Sequence, residues 1–111
     1  MKLNPDCVRD ILLVVEECES VIFPNNYPKL NKYTYDEIMY HVKQCDNADL
    51  FNCCRKYVDG GYGILDLSPK GHDFLAKVRN DTIWTKFKSH ISSIGIGSVL
   101  SLVEHGIQEI F

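Results

Sequence analysis

A chain of 111 residues has room for one compact domain, and it buries roughly two thirds of the surface it exposes when unfolded, so it needs no metal or disulfide staple. Hydrophobic residues at 45%, charged residues at 24%, seven glycines and four prolines exclude disordered, collagen-like and coiled-coil classes. A formal net charge of −3 argues against a generic binder of polyanions.

The chain opens Met1-Lys2-Leu3-Asn4-Pro5-Asp6, a polar start without the apolar stretch of a signal peptide. Its longest apolar run, Ile11 to Val15, is far too short to cross a bilayer, so no membrane association is expected. Five cysteines (Cys7, Cys18, Cys45, Cys53 and Cys54), an odd number, point to reduced thiols in a cytoplasm. Three of them occupy positions where buried apolar residues are expected.

Asn4-Pro5-Asp6 is a helix start, with Asn as N-cap, Pro in the first turn and Asp facing the positive end of the dipole. Val8, Ile11, Leu12 and Val15 follow at helical spacing and predict an amphipathic helix to about Cys18. Pro24-Asn25-Asn26-Tyr27-Pro28 breaks the chain into a loop, and Lys29 to Tyr33 reads as a short edge strand. Thr34 with Glu37 forms a capping box for a helix to about Asn47, whose buried face carries Ile38, Val42 and Cys45. Asp49 then stands where a left-handed residue would end that helix.

Phe51 to Val58 and Tyr62 to Leu67 read as two strands joined by the turn Asp59-Gly60-Gly61. Ser68-Pro69 repeats the cap-and-proline device for a helix through about Arg79, with Phe74, Leu75 and Val78 on its apolar stripe. Asp81 or Thr82 caps a further helix carrying Trp84, Phe87 and Ile91, with Trp84 expected in the core. After a joint at Gly95-Ile96-Gly97, Ser98 caps a last helix with Leu100, Val103, Ile107 and Ile110 on one stripe. That wide apolar face at 98–111 suits either packing within the chain or a homodimer.

Helix, loop, helix, hairpin and further helices predict a single α+β domain of winged-helix type spanning 1–111. Residues 1–80 would form the core, 51–67 the wing and 81–111 a C-terminal helical extension. The middle helix of a helix-turn-helix is missing from the pattern, replaced by the Pro- and Asn-rich loop.

Several segments converge on one family: Met1 to Asp6 with Arg9-Asp10-Ile11-Leu12-Leu13, Glu37-Ile38 with Tyr40-His41, and Leu67-Ser68-Pro69-Lys70-Gly71-His72-Asp73-Phe74-Leu75 followed by Val78-Arg79-Asn80-Asp81 and Trp84. Over nearly its whole length the chain resembles the phage and prophage family called domain of unknown function 2513. The stretch from Gly71 to Trp84 is the most specific part. The resemblance implies a small cytoplasmic winged-helix-like protein of mobile elements in Gram-positive bacteria, with no established activity and no site residues to carry over. The chain departs from the pattern at Asp49, where the family usually has Gly, and at its adjacent cysteines.

The helix from Thr34 occupies the place of a recognition helix and presents Tyr40, Lys43, Gln44 and Asn47, with His41 beside them. Amides and lysine are side chains that read base edges, and Arg55 and Lys56 on the hairpin would lie near the DNA backbone. Charge opposes this: from Thr34 to Asn47 one lysine faces Asp36, Glu37 and Asp46, a net of −2. Residues 1–68 carry a net of −4 and residues 69–90 a net of +3, so a basic stripe follows the hairpin.

Two partners therefore compete. One is double-stranded DNA, bound by a phage or prophage regulator; the other is a host protein, a defence or replication factor, engaged without DNA. His41 and Cys45 lie one turn apart, with Cys53 and Cys54 on the next strand. They lack zinc-knuckle spacing, and adjacent strand residues point to opposite faces, so no metal or cofactor is expected. No phosphate loop, nucleophile elbow or His-Glu-x-x-His is present, and the expected role is non-enzymatic. His72 is expected to fix the hairpin-to-helix junction through the backbone or a nearby acid, and Gly71 to permit close packing there.

Overall fold

The computed structural model describes residues 1–18, 28–56 and 62–88. Along them run helix α1 (Pro5–Glu17), a 3-10 helix (Pro28–Leu30), helix α2 (Tyr35–Asn47), strands β1 (Phe51–Lys56) and β2 (Tyr62–Leu67), and helices α3 (Pro69–Val78) and α4 (Asp81–Lys88). The expected turn at Asp59-Gly60-Gly61, the joint at Gly95 and the last helix with its dimer face at 98–111 lie outside the described residues.

Each helix starts where a side chain satisfies an otherwise orphaned amide. Asn4 Oδ1 accepts from the Asp6 amide at 3.0 Å. Thr34 and Glu37 form the reciprocal capping box, both bonds at 3.1 Å. Ser68 Oγ accepts from the Gly71 amide at 3.0 Å and donates to the Asp49 carbonyl at 2.5 Å. For α4 the cap is Asn80, one residue earlier than expected, because its side chain reaches the Ile83 amide at 3.0 Å while its carbonyl accepts from Trp84 at 2.9 Å.

The edge strand expected at Lys29 to Tyr33 is absent. Pro28 fixes a helical φ, and its carbonyl takes the Asn31 amide at 3.1 Å, so the segment coils and buries Leu30.

The two strands pair antiparallel, with Phe51 opposite Leu67, Cys54 opposite Ile64 and Arg55 opposite Gly63. The domain is thus a mixed α+β fold with a two-stranded antiparallel sheet. Helix α1 packs on α2, β2 and α3. The core gathers Val8, Ile11, Leu12 and Val15 from α1, Ile38, Val42 and Cys45 from α2, Phe51, Ile64 and Leu67 from the hairpin, and Phe74, Leu75 and Val78 from α3. Trp84 is buried among them as expected. No helix among the described residues is long and apolar enough to cross a membrane.

The junction between α2 and the hairpin is tight. Asp49 is left-handed at φ 62°, the Leu50 amide bonds the Cys45 carbonyl at 3.0 Å, and the Asp49 amide bonds the Asp46 carbonyl at 3.0 Å, a complete Schellman ending with Asp in the glycine place. The Leu50 carbonyl then accepts from the Ser68 amide at 2.9 Å. It also faces Gly71 so closely that a Cβ there would sit 2.2 Å from its oxygen. Only glycine lets α3 approach this far.

The other end of the domain is held by a buried cation. Helix α3 ends at Arg79 in ordinary right-handed geometry, without a left-handed residue to turn the chain back onto its last carbonyls. Arg9 of α1 takes that part: Nε donates to the Val78 carbonyl at 2.7 Å, and one terminal nitrogen to the Arg79 carbonyl at 2.6 Å and to Asp81 at 2.7 Å. Its guanidinium also lies 5.7 Å from the Trp84 ring centroid. One turn earlier, Asp6 accepts from Trp84 Nε1 at 2.7 Å and from Lys88 at 2.8 Å. Burial pushes the Asp6 carboxyl up, but the Lys88 and Trp84 hydrogen bonds outweigh it and hold the group below its ordinary range. Asp10 accepts from Tyr33 Oη at 2.6 Å and Lys32 at 2.9 Å, and Glu16 pairs with Arg79.

These contacts set stability. Gly71→Ala should cost about 2 kcal/mol or more in chemical denaturation, because backbone must move to admit the methyl. Asp49→Gly should instead stabilise by about 0.5 kcal/mol, as relief of left-handed strain exceeds the added unfolded-state entropy. Arg9→Met strands two carbonyls and should cost about 3 kcal/mol. Asp81→Asn should cost under about 1 kcal/mol, since the Asp81 side chain is 90% exposed.

Candidate functional site

Helix α2 divides cleanly around its circumference. Ile38, Val42 and Cys45 face the core, while Lys43 and Asn47 are exposed and Tyr40 and Gln44 half-buried. At 100° per residue, Tyr40, Lys43, Gln44 and Asn47 fall within an arc of about 100°, so four of the expected contact residues do share one face. Asp36 lies on the same stripe, one turn before Tyr40.

His41 does not belong to that face. It is 1% exposed, with Nδ1 donating to the Glu37 carbonyl at 2.6 Å and Nε2 accepting from the Asn4 amide at 2.8 Å. Neither ring nitrogen remains for a partner or a metal. Burial holds its imidazole below the ordinary histidine range. Tyr40 stacks edge-on to it, ring centroids 5.0 Å apart, which fixes one member of the exposed stripe from beneath.

The acidity of α2 is likewise redistributed. Glu37 is spent on the capping box. Asp46 lies about 60° outside that arc, on the side of Cys54 in β1. Of the three acids, Asp36 alone falls within the arc of the stripe and opposes Lys43, while Glu37 keeps its negative charge at the margin.

The basic segment after the hairpin is mostly committed. Lys77 pairs with Asp73 at 3.2 Å, Arg79 with Glu16, and Lys88 with Asp6 at 2.8 Å. Among the described residues, Lys2, Lys43, Arg55 and Lys70 have no ion partner. Arg55 is exposed on the outer half of β1, opposite Gly63, and Leu65 is exposed on the same face of the hairpin. Lys56 is in β1, but its side chain lies outside the described residues, as does that of Cys53.

Three of the thiols are withdrawn from solvent in whole or in part. Cys7 and Cys45 are fully buried, and desolvation pushes Cys7 up to about 12 and Cys45 further. Burial, with Asp46 alongside, pushes Cys54 up to about 12. These three are packing side chains, held in the thiol form by their burial. His72 meets an acid at the junction, its Nε2 3.5 Å from Asp66.

What sequence reasoning missed are Arg9, Asp6 and Asp10, the polar residues by which α1 grips the rest of the chain. The available signal was position: Arg9 lies about 100° round from Val8, at the edge of the apolar stripe.

A model of hypothetical proteins, DUF2513, matches residues 2–97. The chain is similar to an uncharacterized protein of Haemophilus influenzae, 29% identical over 115 residues that cover 99% of this chain and 95% of the relative. No solved structure matches. The tight glycine contact, the α3 and α4 caps and the buried tryptophan all lie within the matched span, and the chain belongs to the family of hypothetical proteins DUF2513.

Proposed function

We propose that the protein is a DNA-associated regulator that lays α2 in the major groove and uses the hairpin as the wing of a winged-helix-like domain. The observation that carries this reading is the uncommitted stripe on α2. The Lys43 ammonium and the Gln44 and Asn47 amides have no hydrogen-bond partner among the described residues and share one exposed face. Such groups are suited to base edges in a groove wide enough for a helix. The strand that follows α2 carries Arg55, a cation without an ion partner among the described residues, near where a phosphate backbone would run. The phage or prophage setting rests on the family resemblance alone.

A second reading has its own support. The ion pairs that consume Lys77, Arg79 and Lys88 leave few cations for phosphates. A face so poor in cations also suits a protein partner, a host factor docked on Tyr40 and the neighbouring amides.

Salt separates the two. With two or three phosphate contacts, log affinity for a mixed-sequence duplex should fall against log salt with a slope of about −2 to −3. Lys43→Ala should weaken binding and reduce that slope by about one, whereas Gln44→Ala should cost about 1–3 kcal/mol with the slope unchanged. No duplex binding at low salt, or binding indifferent to both substitutions, contradicts the DNA reading. One-to-one binding of a host protein that survives salt and is lost in Tyr40→Ala establishes the second.

A further inference from the structure

Two hydrogen bonds fix the state of the His41 ring. The Asn4 amide can only donate, so Nε2, at 2.8 Å, must present its lone pair. The ring proton is then on Nδ1, where it donates to the Glu37 carbonyl at 2.6 Å. The bond spans 37 residues and joins the N-cap of α1 to the middle of α2. Adding a proton at Nε2 sets one donor against another, with no room to turn because the ring is buried and Tyr40 stands edge-on against it.

We infer that His41 is a positioning residue, which in its neutral form pins α2, and with it Tyr40 of the presented stripe, to the N-cap of α1, and which releases that pin when protonated. The consequence for binding rests on the proposed reading of α2; the pin itself does not.

The surrounding groups leave this titration to His41. On α2, the Glu37 carboxylate favours the protonated ring but is outweighed by desolvation. On α1, Asp6 is engaged by Lys88 and Trp84, and Cys7 stays protonated, as does Cys45 on α2. A folded-state proton affinity below the unfolded one means that the stabilisation is fully present above about pH 6.5 and is lost as pH falls through the lower folded value.

Release would travel along α1. Asn4 caps the Asp6 amide, and Asp6 in turn holds Trp84 and Lys88 of α4. A proton at His41 therefore loosens the first turn of α1 as well as the seat of Tyr40.

Nuclear magnetic resonance of the labelled full chain tests this. At about pH 7.5 the His41 ring should be the Nδ1–H tautomer, and on lowering to about pH 5 the His41 ring, the Asn4 amide and the Tyr40 ring should titrate together, with one midpoint below about 6.5. In His41→Gln, which keeps a donor and an acceptor but does not titrate, the Asn4 and Tyr40 signals should stay flat. An Nε2–H tautomer at neutral pH, or Asn4 and Tyr40 signals that ignore the His41 titration, overturns the pin in the wild-type protein alone. With a mixed-sequence duplex as probe, affinity should fall about fivefold or more across that range in wild type and not in His41→Gln. Equal loss in both overturns the coupling to binding, and absence of duplex binding at every pH overturns the DNA reading while the ring and amide signals still decide the pin.

Discussion

The Arg9 guanidinium ties the two ends of the domain together. It is nearly buried, its side chain 11% exposed, and it completes the hydrogen bonding of a helix to which it does not belong. Because α3 ends without a left-handed residue, its last carbonyls would face a low-dielectric interior unpaired. A cation from α1 answers both the missing hydrogen bonds and the negative end of the α3 dipole. The turn into α4, the burial of Trp84 and the placement of Lys88 over Asp6 all follow from α1 being held there.

This arrangement changes what the charge of the chain means. The excess of basic residues at 69–90 looks like a surface for nucleic acid when read along the sequence. In the fold, Arg79 and Lys88 meet Glu16 and Asp6 of α1, and Lys77 meets Asp73 within α3. Two of the five basic residues of that segment are counterions of acids on α1 across a helix interface, and a third is paired within its own helix. The weight of any binding role then shifts from charge to the uncommitted polar stripe of α2. For a duplex, that means more affinity from base edges and less from phosphates than is usual.

Local devices were legible in the sequence because their physics is local. Asn4, Thr34 and Ser68 cap amides two or three residues away, and spacing alone reveals them. The strand pairing, the left-handed Asp49 and the close approach at Gly71 were legible too, the last two being backbone requirements that few residue types meet. His41 and Arg9 were not. Their partners lie 37 residues away in one case and 69 to 72 in the other, and nothing in a helical repeat distinguishes a polar residue at the rim of a stripe that points to water from one that points inward. The segment at Lys29 was misjudged for the opposite reason. Its residues favour no single structure, and Pro28 decided it.

On the proposed reading, the α2 stripe and the neighbouring strand form one binding face. The most direct measurement is a map of backbone and side-chain resonance shifts in the labelled protein as a mixed-sequence duplex is added at low salt. The shifts should concentrate on Tyr40, Lys43, Gln44, Asn47 and Arg55, with α4 unperturbed. Shifts centred on Lys70 and α4, or none anywhere, would contradict it.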